Sequence, residues 1–310
     1  MNARRRALPA NPFRVLLLAA AILPLAGCRD SETALARGDQ YWADADYANA
    51  LAEYRLAMRS DQSEETLARV AHAYAQTGQY ERAKEIYDEL IEQSVRWADQ
   101  AVFDYVALAG RALERSDRYG MASAVESAQA LRPGIPFEEF AIPLARYYAS
   151  TADPVRALDF YERAISTAPD DTVPALLFEI AEMHESQGNC SEAIGFFRAF
   201  RTRVRTGERA DEANWHIGNC SFNLARRSRQ DGDVERALDY IDTVIDLGLP
   251  QNLVDEAWFE RGEILLDVGL RDEAITAYRM VLDLSRTGSG QLVERARRRI
   301  DELRFGRSVP

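Results

Sequence analysis

The feature that most restricts this chain is a recurrence. From Ser31 onward the sequence falls into blocks of about 34 residues, each with two apolar patterns of helix length joined by a Gly-polar-Tyr-like turn. A small residue stands early in the second pattern of each block. Recurrence at that period decides the architecture, because each block is one supersecondary unit that buries its apolar face against its neighbours. The unit is clearest in Gly78, Gln79, Tyr80, Glu81, Arg82 and Ala83 followed by Tyr87, and again in Trp258, Gly262, Gly269, Ala274 and Tyr278. Gly38, Ala50, Tyr54 and Ala57 mark a block at 31–63, and Ala71, Tyr74, Ala83 and Tyr87 one at 64–97. Ala145, Tyr148, Ala157, Tyr161, Ala164 and Pro169 mark 138–171, Ala181, Ala193 and Phe197 mark 174–207, and the last full block is 255–288. Two blocks depart from the pattern. Residues 99–132 register their second helix on either Ala122 or Ala124. In 211–250, Gly218 and Ala237 stand seven residues too far apart, which is two helical turns and preserves the apolar face.

These residues together resemble the tetratricopeptide repeat, whose small residues let paired helices approach and whose aromatics fill the space between them. The resemblance implies an all-α fold, a right-handed superhelical solenoid of about seven helix pairs over 31–304. A terminal helix at 291–303, carrying Arg295, Arg297, Arg298 and Arg299, caps it and leaves 305–310 as a tail. It also implies a concave groove lined by the first helix of each pair. Carried onto this chain, the groove positions are Asp39, Trp42, His72, Arg146, Phe178, Glu182, Glu185, Trp215, Asn219, Phe222, Phe259 and Glu263. Aromatic anchors beside carboxylates suit an extended or helical peptide bearing apolar and basic side chains, the alternative for each ring being a place in the core. Asn219 matches the asparagine of the clamp that grips acidic carboxyl termini in chaperone-binding members. The accompanying lysines are missing, since Lys84 is the sole lysine.

The first residues read as an address. Arg4, Arg5, Arg6 and Arg14 flank or precede an apolar stretch from Val15 to Ala26 that is short for a bilayer span and has the order of a secretory signal. It ends in Leu25, Ala26, Gly27 and Cys28, which resembles the lipobox of bacterial lipoproteins. The resemblance implies a leader at 1–27, lipidation of Cys28 and a short linker at 28–30. Arg29 rather than an aspartate after the cysteine favours the outer membrane, facing the periplasm.

The net charge is −12, so no basic excess exists to displace counterions from phosphate and nucleic acid is not an expected partner. Phosphate loops, zinc-protease helices and nucleophile elbows are all missing, and carboxylates recur beside arginines at helical spacing. The expected chain is therefore not an enzyme and takes no cofactor. One constellation stands out: Gly188, Asn189, Cys190, Ser191 recurs as Gly218, Asn219, Cys220, Ser221, with His184 and His216 close by. A disulfide between Cys190 and Cys220, two buried free thiols, and a metal site with the histidines all remain open readings. The expected function is a membrane-anchored scaffold for an envelope protein or peptide. A periplasmic glycan- or peptidoglycan-peptide-binding protein is the alternative, to be distinguished by a closed pocket.

Overall fold

The computed structural model describes residues 25–284 and 290–306, with side chains from residue 33 onward. Among these residues every regular element is helical: α1 (Leu25–Ala43), α2 (Tyr47–Met58), α3 (Glu64–Gln76), α4 (Tyr80–Gln93), α5 (Ala98–Glu114), α6 (Arg118–Leu131), α7 (Glu138–Ser150), α8 (Pro154–Thr167), α9 (Val173–Ser186), α10 (Cys190–Arg203), α11 (Glu208–Gln230), α12 (Val234–Leu247), α13 (Gln251–Asp267), α14 (Arg271–Leu284) and α15 (Gln291–Phe305). A single 3-10 turn, Val95–Trp97, joins α4 to α5. The leader up to residue 24 and the side chain of Cys28 lie outside the described residues. No described helix is long and apolar enough to cross a membrane.

The chain forms two compact units, Met1–Tyr147 and Tyr148–Pro310, each treated separately below. Within each, successive helices pack as hairpins, and the turn between them follows one recipe. The residue before the second helix sits at positive φ: Gly78, Gly188, Gly232 and Gly269 do so near +78°, and Ala45, Ser116 and Ala152 near +59°. An aspartate then caps the helix in four pairs, Asp46, Asp117, Asp153 and Asp233 each accepting a backbone N–H three residues on.

Burial follows an equally regular register. Ala50, Ala83, Ala157, Ala193, Ala237 and Ala274, each in the first turns of a second helix, are fully buried. In the degenerate block this place is taken by Met121, so the expectation of Ala122 or Ala124 is corrected by one residue. Counted from the capping Asp117, Met121 stands where Ala157 stands from Asp153. One turn on, Val125 occupies the place that Tyr54, Tyr87, Tyr161 and Tyr278 hold elsewhere. The large and small side chains have exchanged positions, which keeps the filled volume similar. The close approaches that require glycine are those of Gly38 and Gly262, where a Cβ would meet the rings of Tyr54 and Tyr278 at 2.5 and 2.6 Å.

The overlong first helix of the 211–250 block is α11, at 23 residues against 14 for α9. Its C-terminal half pairs with α12 through Ala225, Ala237 and Ile241. Its N-terminal half carries the two additional turns, and there Gly218 receives the Leu249 carbonyl, which lies 1.9 Å from where a Cβ would be.

Candidate functional site

In the second unit the added turns of α11 bring a group of polar side chains opposite α9. Trp215 is exposed at 42%, the one predicted aromatic anchor that stands free of the core. His216, beside it, stacks on Phe197 with centroids 4.9 Å apart and planes 9° from parallel, and meets the Trp215 ring edge-on at 5.1 Å. Its Nδ1 bonds to Glu185, whose other oxygen accepts from Asn219 Nδ2 at 3.0 Å. Glu182 and Glu212 are exposed on the same face. Thus Glu182, Glu185, Trp215 and Asn219 lie on one face, joined by His216, which sequence spacing associates with the cysteines.

The electrostatics of this group are coupled. Burial alone would raise the Glu185 carboxyl, but hydrogen bonds from His216 and Asn219 outweigh it and hold the group below its usual range. Burial likewise works against charge on His216, and the Glu185 bond reverses that, lifting the imidazole above 6.5. Glu182 has no such donor, so the surrounding protein pushes its carboxyl up. Next to Glu182 a cavity of about 540 Å³ opens between the end of α7, α8 and α9, with Ala149, Ala152, Pro154, Tyr161 and Met183 as walls and Glu179 and Glu182 as acids.

The first unit builds a related group from α1, α3 and α5. Trp42 packs on His72 with centroids 4.5 Å apart, and His72 Nδ1 lies 2.7 Å from Asp104, which is fully buried and also accepts from the Tyr87 hydroxyl. Asp104 lay outside every sequence expectation, because a single acid in the apolar run of α5 carries no local signal. A wider regularity explains it. Tyr54 donates to Asp39 at 2.8 Å, Tyr161 to Glu179 at 2.9 Å and Tyr278 to Glu263 at 2.6 Å, so the second-helix tyrosine one turn after the small residue ends on a first-helix carboxylate in these pairs as well. Burial and the facing carboxylate push the Tyr87 and Tyr278 hydroxyls far up, so both remain donors throughout the working pH range.

Four expected groove residues belong to the interior instead. Phe178 is fully buried, its ring meeting Phe197 and Phe200 edge-on and covered by the Arg209 guanidinium at 4.3 Å. Phe222 packs with Ile241 and Ala257. Phe259 packs on Tyr278 and lies beneath Arg295 of α15, at 4.3 Å. Glu263, 8% exposed, accepts from Tyr278 and from Arg299 Nε and Nη2 at 2.8 and 2.7 Å. For Phe259 and Glu263 the physical cause is the cap, since α15 lies on α13 and covers them, whereas Phe178 and Phe222 are buried by the helices that follow their own. Beside it, Phe222, Arg226, Glu256, Glu260 and Arg295 surround a cavity of about 450 Å³.

The cysteines are joined. Cys190 at the start of α10 and Cys220 in α11 form a disulfide with Cα atoms 5.1 Å apart. This removes the thiolates from the His2Cys2 reading, and His184 is stacked on Phe196, 5.3 Å between centroids, away from any ligand role with them.

Models of the tetratricopeptide repeat match residues 64–94 and 222–289. No curated protein matches the chain. Among solved structures it is similar to MamA, at 18% identity over 55% of this chain and 81% of that one, with a TM-score of 0.33. It is similar to the repeat domain of P58(IPK), at 13% identity over 89% and 99%, TM-score 0.33. It is also similar to PilF of Pseudomonas aeruginosa, at 16% identity over 78% and 99%, TM-score 0.26. Identities and scores this low leave the repeat models to carry the family.

Proposed function

We propose that this chain, a tetratricopeptide-repeat protein, is a non-catalytic scaffold that is lipid-anchored in the bacterial envelope through Cys28 and holds a protein or peptide partner on the α9–α11 face of its second unit. The observation that carries the reading is Trp215, a large ring exposed at 42% that meets His216 edge-on, the imidazole around which Glu182, Glu185 and Glu212 gather. An exposed aromatic surrounded by acids favours a partner that offers an apolar side chain next to arginine or lysine, and the neighbouring cavity lined by Met183 and Tyr161 supplies a second apolar contact. The glycan-binding alternative draws less support from the rings, because Phe178, Phe222 and Phe259 are buried and the cavity edged by Phe222 and Phe259 is lined mainly by arginines and acids. The lipobox-like sequence and the basic-then-apolar leader support the envelope assignment and the outer membrane as its location.

The test is capture from detergent-solubilised envelope with the full chain as bait, comparing wild type with Trp215→Ala. Val155→Ala, at a 78% exposed site elsewhere on the unit, is the control. A partner retained by wild type and Val155→Ala and weakened by about 2 kcal/mol in Trp215→Ala is the expected result. Equal retention by all three, with unchanged melting, would remove this face from consideration.

A further inference from the structure

We propose that Glu182, Glu212 and His216 hold a divalent transition-metal ion of the zinc class on the open face between α9 and α11. Among the described residues this is the one group of carboxylate and imidazole side chains whose donor atoms converge, all lying within 4.8 Å of one another. Ligands at about 2.0–2.2 Å from a shared ion stand roughly 3–4 Å apart, so the group needs a rotamer adjustment in the two exposed glutamates and no backbone movement. Glu212 and His216 are one turn apart on a single helix face, and Glu182 reaches in from the neighbouring helix.

The imidazole is prepared for this role by residues that are not ligands. Glu185 engages Nδ1, and Asn219 in turn fixes Glu185, an arrangement in which an ion displaces the second proton and takes the ring at Nε2 while Glu185 keeps the Nδ1 proton. Stacking on Phe197 holds the ring plane before any ion arrives. The donor set selects the ion class: one imidazole with two carboxylates suits zinc and its neighbours, whereas calcium and magnesium favour all-oxygen shells. Three protein ligands leave a fourth position for water or for a side chain brought by a partner. Arg209 is the competing cation, its guanidinium 3.9 Å from Glu212 and stacked over Phe178.

Calorimetric titration of the untagged full chain with zinc chloride, and visible absorption with cobalt(II) in its place, tests the site without a partner. The expected result is one ion per chain with an absorption band of nitrogen-oxygen coordination. Glu182→Gln, Glu212→Gln and His216→Gln should each weaken binding at least about tenfold, and Glu185→Gln by about tenfold through loss of the imidazole's orientation. Arg209→Gln should tighten it several-fold. His184→Gln, outside the group, should leave it unchanged. Circular dichroism identifies any variant that fails to fold, and if His216→Gln does so the two exposed glutamates decide the matter. Binding no tighter than about 1 mM, or binding indifferent to Glu182→Gln and Glu212→Gln, would overturn the proposal.

Discussion

Ala45, Ser116 and Ala152 adopt a backbone conformation that the equivalent turns assign to glycine, with φ of 59°, 60° and 57°. A side chain at positive φ costs about 1–2 kcal/mol, partly offset because glycine also gives the unfolded chain more freedom. Ser116→Gly and Ala152→Gly should therefore raise stability by about 0.5–1 kcal/mol, while Gly269→Ala should lower it by about 1 kcal/mol. Thermal melts of the three variants check this, and uniform destabilisation would show that the side chains contribute contacts that outweigh the strain. Glu263 supplies the pH-dependent counterpart. Burial alone would raise its carboxyl, but the bonds from Arg299 and Tyr278 dominate and hold it below 4.5 in the folded chain. A depressed folded value means that its contribution is fully present above the unfolded value and is lost as pH falls through the folded one. Glu263→Gln should cost about 1.5–3 kcal/mol near pH 7, and its melting curve should approach that of wild type as pH falls through the folded value of Glu263. A gap that stays constant down to pH 3 would contradict the pairing.

At the scale of elements, α11 shows both what the sequence makes legible and what it hides. Its two added turns follow from the spacing of Gly218 and Ala237, because helical periodicity is local and survives an insertion of whole turns. The residues facing outward do not follow from the same spacing. Registered on Gly218, Trp215 and Phe222 look equivalent to positions in a groove; registered on Ala225, which α12 actually meets, Phe222 falls where Phe178 and Phe259 fall, and all three are core. Trp215 lies on the turns by which α11 extends beyond the length of α9, its neighbour across the site. The partner of His216 is hidden for a related reason: nearness in sequence offers Cys220, whereas Glu185 lies on another helix. Met121 was missed because the small-residue signal reads Ala122 and Ala124 and cannot register a large-for-small exchange with Val125. Gly218, in contrast, is constrained more tightly than sequence indicates, since any Cβ there strikes the backbone oxygen of Leu249. Gly218→Ala should consequently cost more than the ordinary gain of alanine over glycine in a helix, by about 1–3 kcal/mol net. A melt at or above that of wild type would mean that the 248–250 link shifts without penalty.

For the molecule as a whole, charge decides how it is able to meet a membrane. Removing residues 1–27 takes away four arginines and no acid, changing the net charge from −12 to −16. A body this acidic is repelled by anionic headgroups, and no described helix is long and apolar enough to span a bilayer. Adsorption by charge is thus disfavoured for a protein of this composition, and under the proposed function the attachment falls to the covalent anchor at Cys28. Two routes to the membrane then give opposite salt responses. A lipid-anchored chain stays with the membrane fraction through both a low-salt and a high-salt wash and leaves it only with detergent. Cys28→Ala should appear in the soluble envelope fraction at every salt concentration, with the same helical content and the same melting temperature as the detergent-extracted wild type, because the repeats need nothing from the anchor in order to pack. Retention of Cys28→Ala after a high-salt wash would instead place the attachment in the repeats themselves, most directly on the arginine-bearing α15.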